Sequence, residues 1–304
     1  MDGIINVYKE AGFTSHDVVA KLRGICRQKK IGHTGTLDPQ ATGVLPVCLG
    51  SATRACEMLT DRTKEYVAEL LLGKITDTQD TTGTVLEERE VAVDEAQVRE
   101  VIGSFVGGYD QIPPMYSALK VNGKKLYELA RAGKEVERQA RHVDLPAIEI
   151  LEIRLPVVKF RVECSKGTYI RSLCADIGGK LGCGGTMQSL VRTRVGEFRL
   201  TGALTLTQLQ ELRDTGRLEE ALLPTDRIFA DFNAMHVEEK WRKLIDNGNA
   251  FYPGQTMEQT TYPVGEWVRV YREDDSFVGI YAYDGAKEWY KPVKIFHSNT
   301  ESRK

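Results

Sequence analysis

The sequence predicts an α+β fold, a mostly antiparallel sheet flanked by helices, followed by a smaller β-barrel-like domain. Three observations lead there. Strand and helix patterns alternate irregularly over residues 1–230, without the strict rhythm of a doubly wound parallel sheet. The segment 156–164, PVVKFRVEC, sets Val158, Phe160, Val162 and Cys164 against Lys159, Arg161 and Glu163, the alternation of a strand with one wet face. Near Phe229 the composition shifts, and helical signals give way to short strand candidates separated by turns.

In chain order, Ser15 caps a helix whose apolar positions Val18, Val19, Leu22, Ile25 and Cys26 fall three or four residues apart. The run GHTGTLDPQATG follows, and Gly32, Gly35, Pro39 and Gly43 forbid a long regular element there. A strand is expected from about Tyr66 to Leu72, then a Thr/Asp-rich loop, TDTQDTTG, ending at Gly83. Asp94 caps a helix with Val98, Val101, Ile102 and Phe105 on one face. Beyond Gly167 the apolar positions Ile170, Leu173, Cys174, Ile177 and Leu181 take helical spacing, ending at Gly182. Thr207 with Gln210 reads as a capping box opening a short helix. The last strand candidates are WVRVY (267–271), FVGIYAY (277–283) and KPVKIF (291–296), which gives two domains, 1–230 and 231–304.

Hydrophobic residues at 41% and charged residues at 28% place the chain among ordinary globular proteins. No apolar run reaches membrane-spanning length, and MDGIINVYKEAGF lacks the regions of a signal peptide, so a cytoplasmic location is expected. The six cysteines are scattered without a C-x-x-C pair; free thiols and no metal site are expected. With a net charge of −2, any nucleic-acid contact must rest on local basic stretches. One holds Lys21, Arg23, Arg27, Lys29 and Lys30 against Asp17. The other, from Ile112 to His142, holds seven basic residues against three glutamates. Taken alone, either reads first as a solvated face.

Three places could hold chemistry. Asp38, between Leu37 and Pro39 in the glycine-rich loop, is an acid whose commonest role there is to start a turn. The loop lacks the Lys of a phosphate-binding loop, and His33 stands where a phosphorylated-aspartate ATPase would have its acid. Arg171 in SKGTYIRS falls in the first turn of a helix, against the helix dipole, which points to pairing with an anion such as a phosphate or Asp38; Tyr169 stands close by. Tyr66 opens a strand, ordinarily a packing role.

Together these segments carry a resemblance. GHTGTLDPQATGVLPVCLG, KEYVAELLLGKITDTQDTTG, PPMYSALKVNGKKLYELARAG and CSKGTYIRSLCADIG resemble, in order, the motifs of the TruB family of pseudouridine synthases. The resemblance runs from about Gly3 to Phe198 and resumes in the C-terminal segment, which is similar to a degenerate PUA domain. It implies a pseudouridine synthase catalytic domain that isomerises uridine 55 in the tRNA T loop, without cofactor, membrane or obligate protein partner, as a monomer.

The resemblance also implies roles. Asp38 becomes the catalytic carboxylate, Arg171 its ionic partner, and Tyr66 the ring that stacks on the target base and serves proton transfer. His33 fills the stack left by the flipped base, whose extrusion costs a few kcal/mol. Lys9, Tyr169 and Leu190 lie near the uracil, and the insertion at about 112–142, with Lys120, Lys124 and Lys125, closes over the RNA. The chain reads Lys9-Glu10 where the family usually has Lys-Pro. Two other readings are a tRNA-folding chaperone with incidental turnover and the catalytic subunit of a guide-RNA complex; the insertion and the lack of long basic tails argue against the second.

Overall fold

Period-two patterns build the central sheet of the computed structural model, which describes residues 1–121 and 123–296. The strand order is Gly3–Lys9, Thr42–Leu49, Gly185–Val195, Lys64–Leu72, Val157–Cys164, Ala147–Arg154. Neighbours run antiparallel except Thr42–Leu49 and Gly185–Val195, which are parallel. Val158, Phe160 and Val162 are fully buried, as their alternation requires.

Apolar faces set the layers. Helices Glu95–Gly103 and Ile170–Lys180 bury Val98, Ile102, Leu173, Cys174 and Ile177 against Ala68, Leu70 and Phe160. Leu173 is wholly buried, and its truncation to Ala would cost about 2–5 kcal/mol. The strand Thr42–Leu49 is covered on both sides, which explains its nearly unbroken apolar run TGVLPVCL. Leu45, Val47 and Leu49 meet helices Ser15–Ile25 and Leu206–Asp214, whereas Val44 and Cys48 meet Phe229, Ile280 and Phe296 from the chain's last third.

Two helix starts differ from the sequence reading. Thr14 caps the first helix in a reciprocal box with Asp17, while the buried Ser15 takes the Leu37 amide at 2.9 Å. Ser15 thus ties the helix to the loop bearing Asp38. The box expected at Thr207 and Gln210 forms two residues earlier, from Thr205 to Gln208. Both registers fit T-x-x-Q, and burial of Leu206 and Leu209 selects the earlier one.

The segment after Gln111 is rooted by a ladder pairing Tyr109–Gln111 with Arg141–Val143. Within it, Lys120–Val121 and Lys124–Lys125 form a hairpin that leads into helix Leu126–Arg131. The C-terminal sheet runs Asn233–Val237, Trp267–Arg272, Phe277–Asp284, Trp289–Ile295, the first pair parallel and the rest antiparallel. Three of these are the expected strands; Asn233–Val237 was not anticipated. Bridges from Thr256 to Val237 and from Phe251 to Tyr290 join its two edges, giving the barrel-like closure around Met235, Phe251, Val270 and Tyr281. No described helix is long and apolar enough to cross a membrane. The six cysteines are free.

Candidate active site

The glycine-rich loop bends at Asp38, whose carbonyl accepts the Ala41 amide at 3.1 Å. The Asp-Pro turn is therefore real, and it also presents a carboxylate. Leu37 and Ala41, on either side, are buried in one cluster with Tyr66 and Leu190, so packing fixes the acid at the edge of an apolar floor.

Arg171 meets that acid at two points, Nε to Oδ2 at 2.9 Å and Nη2 to Oδ1 at 3.3 Å. Its side chain is 6% exposed and that of Asp38 38% exposed, so the arginine is the wall and the acid the accessible group. Arg171 also donates to the Thr78 carbonyl at 2.9 Å and the Tyr116 carbonyl at 2.8 Å, and its Nη1 lies 3.8 Å from Asp80 Oδ2. One guanidinium therefore joins the Asp38 loop, the Thr/Asp-rich loop and the basic insertion. Its position against the helix dipole is offset by these acceptors.

An arginine partner by itself favours the charged carboxylate. In the fold, burial dominates and pushes the Asp38 carboxyl above its ordinary range; Arg171 pulls down against it, and Asp80 adds to the rise.

Lys9 is placed differently from a residue that touches a base. It is fully buried, and its ammonium donates to the carbonyls of Glu10 at 3.1 Å, Pro39 at 3.0 Å and Ala41 at 2.5 Å. Burial pushes its pKa down to about 8, with Asp38 opposing. Lys9 clamps the Asp38 turn from below, and the Glu10 in place of the family Pro leaves that clamp intact, since only the Glu10 carbonyl is used.

Tyr66 and Leu190 are each 8% exposed, on the inward phase of paired strands. His33 is half-buried, edge-on to His16 at 5.3 Å. Burial, His16 and Arg192 hold its pKa below the ordinary value, and its Nδ1 accepts the Gly35 amide at 3.3 Å. The ring is thus neutral near pH 7, with its proton on Nε2. The backbone of Tyr169 is held by Gln111, whose Oε1 accepts its amide at 2.8 Å and whose Nε2 donates to its carbonyl at 3.0 Å. Gln111, 2% exposed, thereby fastens the root of the insertion beside Arg171.

Lys120 and Lys125 face each other across the hairpin. Like charges directly opposite are unfavourable unless an anion lies between them. Lys125 also sits over the Tyr127 ring at 5.4 Å, with Arg131 near that ring at 5.5 Å, while Lys124 is exposed. The sequence-chosen residues thus form two groups, one around Asp38 and one on the hairpin.

Sequence reasoning missed Asp80, His16, Gln111 and Arg192. Asp80 lay in the loop TDTQDTTG, noted but given no role. Arg192 had a signal, a charged residue two positions after Leu190 and so on the same inward face of a strand. His16 and Gln111 had none.

Residues 23–170 match the family model described as TruB family pseudouridylate synthase (N terminal domain), and residues 171–230 match the tRNA pseudouridylate synthase B C-terminal domain. The chain is 53% identical to tRNA pseudouridine synthase B of Lachnoclostridium phytofermentans, over 97% of this chain and 100% of that one. It is 49% identical to the protein of that name from Alkaliphilus oremlandii, over 97% of each. Among solved structures it is similar to a chain of a Cbf5-Nop10-Gar1 complex, at 29% identity and a TM-score of 0.72, over 97% of this chain and 85% of that one. A chain of an H/ACA RNP bound to a substrate RNA containing 2'-deoxyuridine gives 26% identity and 0.73, over 98% and 86%. Near-full-length identity of this degree, together with an arginine-bound aspartate on an apolar floor, leads to one conclusion: the chain belongs to the TruB family of pseudouridylate synthases.

Proposed function

We propose that this chain is a tRNA pseudouridine synthase, an isomerase acting on uridine 55 of the T loop, with Asp38 as its catalytic carboxylate. The observation that carries the reading is the accessible Asp38 carboxylate gripped at two points by buried Arg171 above Tyr66 and Leu190. The relatives named tRNA pseudouridine synthase B support the substrate. Isomerisation exchanges the N1–C1′ bond for a C5–C1′ bond, so the proton on C5 leaves and one ends on N1. A carboxylate beside the sugar serves as nucleophile or stabilises the detached sugar's charge. The flat apolar floor receives the extruded uracil, Tyr66 handles protons, and neutral His33 fills the vacated stack. Lys9 and Tyr169 act by holding the Asp38 turn and the Arg171 helix.

The Lys120 and Lys125 pair and Lys124 contact RNA phosphates. The catalytic part extends to about residue 230, since the second sheet begins at Asn233, and that sheet is the PUA-like RNA-binding part. The protein works as a cytoplasmic monomer without an obligate partner.

The test is incubation with an unmodified tRNA transcript and mapping of pseudouridine by position. The wild type yields product in the T loop, and Asp38→Asn binds tRNA without turnover. Turnover by Asp38→Asn would overturn the central assignment, and product elsewhere would overturn the substrate. A wild type that refolds tRNA yet forms no pseudouridine would establish the chaperone reading.

A further inference from the structure

Arg192 is a large, fully charged side chain only 1% exposed. No ion pair between it and an acid is found among the described residues. Instead Nε donates to the Val44 carbonyl at 2.7 Å, Nη2 to the Gly35 carbonyl at 3.2 Å and Nη1 to the Thr36 carbonyl at 3.5 Å. Neutral donors could satisfy carbonyls, so the charge itself is surplus to this bonding. Burying such a charge without a counter-ion is costly. The same region holds buried Lys9 and Lys64, and both feel the Arg192 charge. The protein thus maintains an excess of positive charge beneath its proposed reaction centre.

Two acidic hydrogens are set against it, the Cys164 thiol and the Tyr66 phenol, and Tyr66 lies in the cluster with Leu37 and Leu190 beside Asp38. Tyr66 and Arg192 are cross-strand partners on the inward face of paired strands and both are buried, which sets the guanidinium beside the phenol ring. The backbone brings the third strand equally close. Gly43, opposite Arg192 in the parallel pair, has φ +109°, and a Cβ there would lie 2.2 Å from the Arg192 carbonyl oxygen.

We propose that Arg192 is a positioning residue for Tyr66: it fixes the phenol oxygen against the Asp38 loop and stabilises that oxygen as a phenolate while the proton from C5 is carried away. The proposal rests on the proton-handling role given to Tyr66 above. Tyr66 gives its proton toward N1 and takes the one leaving C5, so the uracil keeps its atoms and the phenol is restored. Between those events the oxygen is negative, and the guanidinium supplies the missing counter-charge. The directions of the local shifts agree, since burial pushes the Tyr66 phenol up and Arg192 pulls it down.

The experiment is the single-turnover rate on a tRNA transcript from neutral to alkaline pH, with tRNA affinity measured in parallel. Arg192→Gln should lose rate about a hundredfold, the scale of one acid–base contribution, at unchanged affinity. A more acidic difluorotyrosine at position 66 should restore part of that rate. Arg192→Lys keeps a charge that can titrate. The buried lysines beside it sit at about 8, so this variant should work at neutral pH and lose rate above that value more steeply than the wild type, which has Lys9 and Lys64 but no titrating group at position 192. This second arm decides the matter even if Arg192→Gln fails to fold. An Arg192→Lys profile that follows the wild type would overturn the proposal, as would full rate in Arg192→Gln. Tyr66→Phe is run alongside: if it is inactive while Arg192→Lys follows the wild type, only the Arg192 proposal falls. If Tyr66→Phe is fully active, the reading of Tyr66 falls and takes this one with it.

Discussion

Replacing Arg171 with Met tests the centre of the site, because it removes a buried cation and leaves its acids in place. The native guanidinium makes two contacts to Asp38, two hydrogen bonds to the Thr78 and Tyr116 carbonyls and a longer contact to Asp80. Removing one partner of a buried pair costs about 3–5 kcal/mol. Asp38 is 38% exposed and recovers some solvation, so the lower end, about 3 kcal/mol, is expected at pH 8. The pH dependence carries the sharper test. In the wild type Arg171 is the leading influence that lowers the Asp38 pKa, while burial and Asp80 raise it. Without Arg171, the folded-state pKa of Asp38 rises further above its unfolded value. A group raised in this way favours the protonated fold, and stability is lost as pH rises through the folded pKa. The variant should therefore be closer to wild type at pH 5 than at pH 8 in urea denaturation, with tRNA turnover abolished at both. An equal loss of stability at the two pH values would refute the reasoning, as would a variant that turns over normally.

The other predictions concern the surroundings of that pair. Lys9→Met leaves the Glu10 and Ala41 carbonyls without its ammonium, the Pro39 carbonyl keeping the Gly12 amide at 2.9 Å, and should lower stability by about 2–4 kcal/mol after relaxation, at roughly 1–3 kcal/mol for each unsatisfied group, read by urea denaturation. It should lower the turnover rate more than tRNA affinity, since Lys9 holds the Asp38 turn rather than the RNA; a variant of unchanged stability would show the clamp to be idle. Replacing Lys124 and Lys125 with Ala should weaken tRNA binding and reduce the slope of log affinity against log salt by up to about 1.5, at roughly 0.7 for each single-strand phosphate contact. An unchanged slope in a binding titration would return the hairpin to a solvated face. The wild-type rate should fall on the acid side at a pH above about 4, the value of an ordinary aspartate, because burial raises Asp38. A rate profile flat down to that pH would contradict the burial of the acid.

The sequence by itself determined the strands Lys64–Leu72 and Val157–Cys164, the helices around them and three C-terminal strands, but not the central-sheet strands Gly3–Lys9, Thr42–Leu49, Ala147–Arg154 and Gly185–Val195. Period two in PVVKFRVEC and helical spacing from Ile170 to Leu181 are each local consequences of which face is wet, and each was found in place. It also picked out Asp38, Tyr66 and Arg171 as candidates, from long motifs of a recognisable family, and the fold brings the three together. Helix registers were less secure: two T-x-x-Q frames near residue 205 are locally equivalent, and only the burial of Leu206 and Leu209 separates them.

What only the tertiary structure decided are the relations between segments far apart in the chain. Asp80 and Arg171 are brought within 3.8 Å by the sheet and the helix packed on it. Lys9 could be listed near the site from its motif, but only the fold shows that its ammonium ties together three carbonyls from two separate segments. The push that burial gives the Asp38 carboxyl was hidden for the same reason. A neighbouring arginine is visible in a motif, whereas desolvation depends on everything packed around the carboxylate, and in this fold it is the larger effect.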